Sequence, residues 1–218
     1  MKNKFIIIIF LILLNLNSTK VFSAEEFIFE VSNLEITDNG NIYKGKNRGK
    51  IIADTQLELV SNNFEYLKKI NQLKAEGDVQ LFDFKNNISI SAETIFYFKD
   101  KDKISTIGKT SIKVSKNYTI EGHDLTLLMD KMILSSNKKT TIKDKALNQY
   151  TLENFYYFIN QEILKGDNIE VSINKNNQAN GDKFLIKNGF FDLKENKFLA
   201  KNITANLRKD LFGNNKND

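Results

Sequence analysis

The 218-residue chain contains no cysteine, no proline and no tryptophan, and it has a single histidine. A protein without cysteine forms neither disulfides nor thiolate metal sites, so its stability must come from its core and its backbone hydrogen bonds. Average usage of ~5% would give roughly ten prolines in a chain this long. Because proline is the residue least compatible with the interior of a sheet, its absence permits long uninterrupted strands.

The N-terminus carries an aliphatic run from Phe5 to Leu16 that follows Lys2 and Lys4. A positive start, a short apolar centre and small residues at a cut site are typical of a secretory signal peptide. Residues 1–23 are therefore predicted to be this signal, with cleavage after Ser23. The alternative is an uncleaved membrane anchor, but a spanning helix needs ~20 apolar residues and this run is shorter.

The formal net charge of the whole chain is +5. Cleavage would remove Lys2, Lys4 and Lys20 and no acidic residue, which leaves +5 − 3 = +2. A nearly neutral body with lysines interspersed among Asp and Glu lacks the clustered basic patch of a nucleic-acid binder. We expect no nucleic-acid partner.

The polar residues suggest no catalytic centre. His123 is the only histidine, so a zinc site would lack ligands, and no residue is marked out as the nucleophile of a triad. The carboxylates show no spacing that places two of them across a cleft. The chain is predicted not to be an enzyme, and no metal or cofactor is expected.

From residue 27 onward the sequence consists of short runs of alternating apolar and polar residues, separated by Gly, Asn, Asp and Lys turns. Alternation of this kind predicts strands with one dry face. The clearest runs are Ile88–Ala92, Ile112–Val114, Tyr118–Glu121, Ile169–Ile173 and Ile203–Leu207. The fold class is predicted to be all-β.

The runs also recur along the chain. Gly45, Gly77, Gly108 and Gly166 are separated by 32, 31 and twice 29 residues. A strand-turn-strand unit that repeats cannot bury its apolar face alone, so it stacks on its neighbours in an elongated two-sheet solenoid or jelly roll of antiparallel strands. Such a body has open edges at both ends, where another chain can add strands.

The numerous Phe, Tyr and Ile residues admit two interpretations. An apolar inward stripe is most simply a core. Alternatively, two sheets that do not close fully leave an apolar trough, where acyl chains gain about 0.8 kcal/mol per buried methylene.

Several segments resemble the OstA-like periplasmic domain of lipopolysaccharide transport and assembly proteins. They are Phe27–Val31, Ile51–Asp54, Leu73–Val79 and Ile90–Glu93. Because segments of this kind repeat in register, the resemblance covers nearly the whole mature chain. The end of the chain, from Phe198 to Asp218, is similar to the stretch that joins this domain to the outer-membrane β-barrel in LptD proteins. Residues 24–207 are accordingly the expected jelly-roll domain, and residues 208–218 the expected linker-like tail.

In LptD proteins the chain continues into a barrel, whereas this sequence stops at Asp218. It is expected to be either a truncated product or a stand-alone relative that works like the periplasmic bridge protein LptA. Some family members bridge the domain to the barrel through cysteines, and this chain has none, so any coupling is expected to be non-covalent or through chain continuity.

The resemblance implies a V-shaped β-jelly roll whose sheets hold the acyl chains of lipopolysaccharide. It implies a periplasmic protein associated with the outer membrane, whose partners are lipopolysaccharide, other jelly-roll Lpt-type proteins joined edge to edge, and an outer-membrane β-barrel. The expected lipid-binding residues, each equally a core candidate, are Ile88, Ile90, Ile112, Val114, Tyr118, Ile120, Ile169, Val171, Ile173, Phe184 and Ile186. The alternative is an exported structural or adhesive β-solenoid that binds protein or polysaccharide.

Overall fold

The computed structural model describes residues 27–53, 56–115, 117–173 and 181–207. The predicted signal peptide and the predicted tail therefore lie outside the described residues. Within the described ranges the chain forms antiparallel strands and four single-turn 3-10 helices, with no α-helix. No helix in this part of the chain is long and apolar enough to span a bilayer.

The strands have the following bounds: β1 Ile28–Thr37, β2 Ile42–Ala53, β3 Leu57–Ser61, β4 Asn63–Leu67, β5 Gln72–Asp83, β6 Ile88–Phe98, β7 Lys103–Val114, β8 Tyr118–His123, β9 Thr126–Leu128, β10 Ile133–Ser136, β11 Thr140–Asp144, β12 Gln149–Leu152, β13 Asn154–Phe158, β14 Ile163–Ser172, β15 Lys183–Asp192 and β16 Lys197–Asn206. The 3-10 helices are Asp38–Gly40, Lys68–Ile70, Lys99–Lys101 and Ile159–Gln161.

One continuous sheet folds over on itself into two layers. The long strands run through both layers, and the short strands pair with one half of a long one: residues 109–114 of β7 pair with β8, whereas residues 103–105 pair with β9. Layer I contains β3, β8, β11, β12 and the halves 28–31, 49–53, 79–83, 88–92, 110–114, 169–172, 183–186 and 203–206. Layer II contains β4, β9, β10, β13 and the remaining halves. The predicted all-β, two-layer jelly-roll class is confirmed.

The glycines of the predicted repeat lie where strands pass from one layer to the other. Gly77 has φ +78°, and the register of β5 against β6 shifts between Glu76 and Val79 at this point. A left-handed residue bends the strand sharply, and glycine adopts that conformation without strain. Gly166 is needed for a different reason, because a Cβ there would lie 2.7 Å from the backbone oxygen of Asn154.

The opposite ends of the long hairpins share a second repeated feature, a 3-10 helix followed by a left-handed residue. Three of the 3-10 helices are followed by a left-handed residue, namely Asn71, Asp102 and Glu162. Each of these residues donates its backbone N–H to the first carbonyl of the helix. The chain therefore reverses in the same way in successive units, which keeps the inward residues of neighbouring hairpins in register.

The two terminal strands, β1 and β16, each have a neighbour on one side only among the described residues. The sequence predicts a dry face along Ile203–Leu207, yet Ile203 is 46% exposed and Leu207 is 43% exposed. Ile203 lies opposite buried Ile186, so it does point inward. It stays exposed because β16 is the last strand and no further layer covers its inner face.

Candidate functional site

The inner face of layer I is a continuous ladder of apolar side chains. Cross-strand pairs link Ile90 to Ile112, Ile112 to Ile120, and Ile120 through Ile142 to Tyr150. The ladder then passes from Tyr150 to Val171, Phe184 and Ala205 in β16. In the other direction it runs through Leu81, Leu59 and Ile51 to Phe29 in β1. One apolar stripe thus runs from one edge strand to the other.

Layer II faces it with a second ladder that is richer in aromatic residues. This ladder consists of Ile36, Tyr43, Tyr66, Leu73, Tyr97, Ile104, Leu127, Leu134, Tyr157, Leu164, Phe191 and Phe198. The inner faces of the two layers are in contact: the ring centroids of Tyr118 and Tyr157 are 5.6 Å apart, and those of Tyr150 and Phe191 are 5.7 Å apart. The interior is therefore one apolar body between two sheets.

All eleven residues predicted for the site lie in this interior. Nine of them are buried, with exposures of 8% or less: Ile88, Ile90, Ile112, Val114, Tyr118, Ile120, Ile169, Val171 and Ile186. Ile173 and Phe184 are partly buried and pack against the same core. The predicted inward orientation agrees with the structure, and contact with a lipid stays a prediction.

The interior opens at its C-terminal end into an apolar cleft of ≈ 180 Å³. Four of the predicted residues line it, Val171, Ile173, Phe184 and Ile186, and Phe198 of β16 lies at its outer side. Tyr150 of β12 and Phe191 of β15 also line the cleft. Its polar lining residues are Asn148, Asp192, Asn196 and Lys197. The cleft is thus apolar inside and polar at its rim, as expected for a site that binds the apolar end of an amphipathic ligand.

At the N-terminal end, the inner face of β1 is also incompletely covered. Phe29 and Val31 are partly buried against the core, whereas Leu34 is 41% exposed and Ile36 is 53% exposed. The rings of Phe29 and Tyr43 stack with centroids 5.5 Å apart. Both ends of the ladders therefore present apolar side chains to solvent, while the centre is closely packed.

Three tyrosine hydroxyls, those of Tyr118, Tyr150 and Tyr157, lie in the interior. The Tyr118 hydroxyl in layer I donates to Oε2 of Glu162, which follows β13 of layer II, at 2.7 Å. Burial, together with this hydrogen bond, raises the pKa of Tyr118. Burial also raises the pKa of Tyr150 to about 12 and raises the pKa of Tyr157. The phenols therefore stay protonated at physiological pH, and the interior remains apolar.

The other buried polar side chains serve the backbone and the turns. Asp83 accepts the N–H of Asn86 at 3.0 Å, and Thr110 donates to Thr106 at 2.7 Å. His123 is exposed at the end of β8. No group of three His, Cys, Asp or Glu side chains suited to a metal ion occurs in the described ranges. The arrangement can bury apolar surface.

Sequence reasoning found much of the layer I ladder and missed layer II. The signal was present in three short aromatic segments that recur along the chain, Phe64–Tyr66, Phe96–Phe98 and Phe155–Tyr157. One tyrosine of each segment, Tyr66, Tyr97 or Tyr157, belongs to the layer II ladder. Phe191 and Phe198 at the C-terminal opening were also missed. Their rings stack with centroids 5.7 Å apart, and both rings line the cleft.

No protein-family model matches the chain, and no curated protein sequence matches it significantly. Among solved structures, the chain is similar to LptH from Pseudomonas aeruginosa, described as the LptA homologous periplasmic component of the lipopolysaccharide transport device. The two share 13% sequence identity over 51% of this chain and 82% of LptH, with a TM-score of 0.47. At this level the similarity assigns the chain to no family.

Proposed function

We propose that the chain is a non-enzymatic, periplasmic module of lipopolysaccharide transport that shields lipid A acyl chains in its apolar interior and delivers the lipid to the outer membrane. The observation that carries the proposal is the inner ladder of layer I, which ends in an open apolar cleft at Val171 and Phe184. Each methylene moved from water into such surroundings gains about 0.8 kcal/mol. An acyl chain therefore has a strong preference for this cleft over water.

The contrast in burial between the centre and the ends of the interior supports entry of the lipid at an end. Ile112, Ile120 and Leu81 at the centre are 1% exposed or less, so the two layers already fill the space between them. Phe184 and Ile173 at the end are only partly covered. An acyl chain can therefore dock first at the C-terminal cleft, and deeper entry requires the layers to separate.

Two further features support an exported carrier that works with similar modules. The sequence begins with the signal-peptide pattern and contains segments that resemble the OstA-like domain. The terminal strands β1 and β16 offer unpaired backbone groups on their outer sides, within the described part of the chain. Strand addition at such edges would join this chain to other jelly-roll proteins or to the periplasmic part of an outer-membrane barrel protein.

The proposal is tested by placing a photo-crosslinking amino acid at Phe184 of the exported protein and irradiating intact cells. The adduct is then probed with an antibody to lipopolysaccharide. Glu170 is the matched control, because it lies beside Val171 in β14 but points outward, within 3.9 Å of Lys183. We expect a lipid adduct from position 184 and none from position 170.

Equal adducts from both positions would indicate non-specific labelling. A folded, exported protein that never links to lipid from position 184 would refute the carrier function and favour the structural β-solenoid. The fold of each variant is checked by its urea unfolding midpoint, so that a missing adduct is not mistaken for a missing protein.

A further inference from the structure

The outer face of layer II is unexpectedly apolar for the outside of a sheet. In β6, Phe96 and Phe98 alternate with buried Ile95 and Tyr97, so their rings point away from the interior. In β13, Tyr156 points outward in the same way and is 58% exposed. Large aromatic side chains on the solvent side of a sheet cost free energy unless a partner covers them.

These residues form two rows across seven neighbouring strand segments, from β6 to β15. One row includes the pairs Phe98–Lys103 and Ile133–Phe158. The other row begins at Phe96, passes through the polar residues Ser105, Thr126 and Ser135, and ends at Tyr156, Lys165 and Phe190. At ~4.8 Å between strands, the two rows extend roughly 29 Å across the sheet. We call this surface the aromatic face.

The lysines of the aromatic face lie over its rings. Nζ of Lys103 is 5.6 Å from the centroid of Phe98, and Nζ of Lys165 is 5.1 Å from Phe158 and 5.5 Å from Phe190. No ion pair between described residues involves either lysine. Their positive charges are therefore held at the surface of an aromatic patch and are not neutralised by carboxylates.

The outer face of layer I has a different composition over its corresponding segments, which belong to β6, β7, β8, β11, β12, β14 and β15. Its two rows run from Ser89 through Lys113 and Lys143 to Lys183, and from Ser91 through Glu121 to Leu185. Leu185 is the single large aliphatic residue in these two rows, and they contain no aromatic residue. Over these strands the outward aromatic residues are therefore concentrated on layer II, although the neighbouring strand β5 brings the stacked pair Phe82 and Phe84 to the outer side of layer I, with Phe84 60% exposed.

We propose that the aromatic face binds the surface of a lipid bilayer that contains anionic phospholipids. Aromatic rings and lysines together fit the boundary between headgroups and acyl chains, where the rings enter the apolar side and the ammonium groups meet phosphates. Protein interfaces, by contrast, are depleted in lysine and enriched in arginine. Among described residues the one arginine is Arg48, which pairs with Asp78 at 2.8 Å, away from this face.

The full chain is expressed with its own N-terminal segment, exported and purified. Its binding is then measured to phosphatidylcholine vesicles with and without phosphatidylglycerol. The double variant Lys103→Ser with Lys165→Ser is compared with the control Lys113→Ser with Lys143→Ser, which removes the same charge from layer I. At about five-fold per lysine near an anionic surface, we expect the first pair to weaken binding about 25-fold. The control pair is expected to bind almost as the parent does.

The absence of tryptophan from the chain provides a second, independent readout. The variant Tyr156→Trp places a fluorescent reporter on the aromatic face, and the variant Thr119→Trp places one on the outer side of layer I, between Lys113 and Lys143. Anionic vesicles are expected to shift the emission of the tryptophan at 156 to the blue and to leave that at 119 unchanged.

The proposal is overturned if the parent chain does not bind anionic vesicles, or if the two lysine pairs reduce binding equally, since the attraction would then be unspecific. It is also overturned if native membranes bind the chain while protein-free vesicles of the same lipids do not, because a protein would then cover the aromatic face. All variants carry the same N-terminus, checked by mass spectrometry, so the apolar N-terminal run cannot produce the difference between them.

Discussion

Truncating one side chain at the centre of the interior and one at its open end should separate the packed core from the candidate site. Ile112 is 1% exposed and lies in the layer I ladder between Ile90 and Ile120. Ile112→Ala removes three carbon atoms, which costs about 2.4 kcal/mol at ~0.8 kcal/mol each. Because neighbouring strands fix both flanking residues, the site cannot collapse, and a cavity cost brings the total to about 4 kcal/mol.

Phe184→Ala removes a larger side chain but should cost less. Phe184 is only partly buried, and one side of it borders the open cleft, so no closed cavity forms when the ring is lost. We expect a cost of about 1.5 kcal/mol, well below the ~3–5 kcal/mol of a fully buried phenylalanine. The smaller truncation thus destabilises the protein more than the larger one does.

Urea unfolding followed by far-UV circular dichroism gives both values, with unchanged m-values as the check that the unfolded state is the same. If Phe184→Ala costs as much as Ile112→Ala, then Phe184 belongs to the closed core and the C-terminal cleft is not a site. If both changes cost below about 1 kcal/mol, the two ladders do not pack as described.

Three further outcomes follow from the same contacts. Tyr118→Phe removes the hydrogen bond to Glu162 that joins the two layers and should lower the free energy of unfolding by about 1–2 kcal/mol, measured by urea titration; no loss would mean that this bond does not form. Gly166→Ala places a Cβ against the backbone oxygen of Asn154 and should cost about 2 kcal/mol, seen as a lower melting temperature; an unchanged melting temperature would contradict the tight crossing. Stability should also fall as pH rises from about 10 to about 12, because burial raises the folded-state pKa of Tyr150 while the unfolded chain loses its phenol proton near pH 10. Partial solvent screening keeps the contribution of Tyr150 below ~1.4 kcal/mol per pH unit. Tyr150→Phe should make the profile shallower but leave the contributions of Tyr118 and Tyr157, whose folded-state pKa values are also raised; an unchanged profile would refute the assignment.

The fold class could be predicted because alternation and turn residues act locally. The run Ile88–Ala92 forms part of β6, and Tyr118–Glu121 forms part of β8, each with its apolar side inward. The glycine repeat likewise marked positions where strands cross between layers, since Gly77 and Gly108 both adopt positive φ. In these segments local backbone preference and the final packing agree.

Layer II was missed because alternation cannot orient a strand that is apolar on both faces. Residues 95–98 read Ile-Phe-Tyr-Phe, so either set could have pointed inward. The structure turns Ile95 and Tyr97 inward because their strand partners on β5 and β7, such as Leu73 and Ile104, are themselves core residues. That choice depends on cross-strand register, which the sequence of a single strand does not contain.

The same alternation makes the two proposed surfaces separable by experiment. In β13, Phe155 and Tyr157 face the interior, whereas Tyr156 and Phe158 belong to the outer side. Changes at Lys165 or Tyr156 should therefore reduce vesicle binding and leave the lipid adduct at Phe184 intact. A change inside the cleft should have the opposite effect. If outward and inward variants instead fail together, the common cause is loss of the fold, since neighbouring residues of one strand share only their backbone ladder.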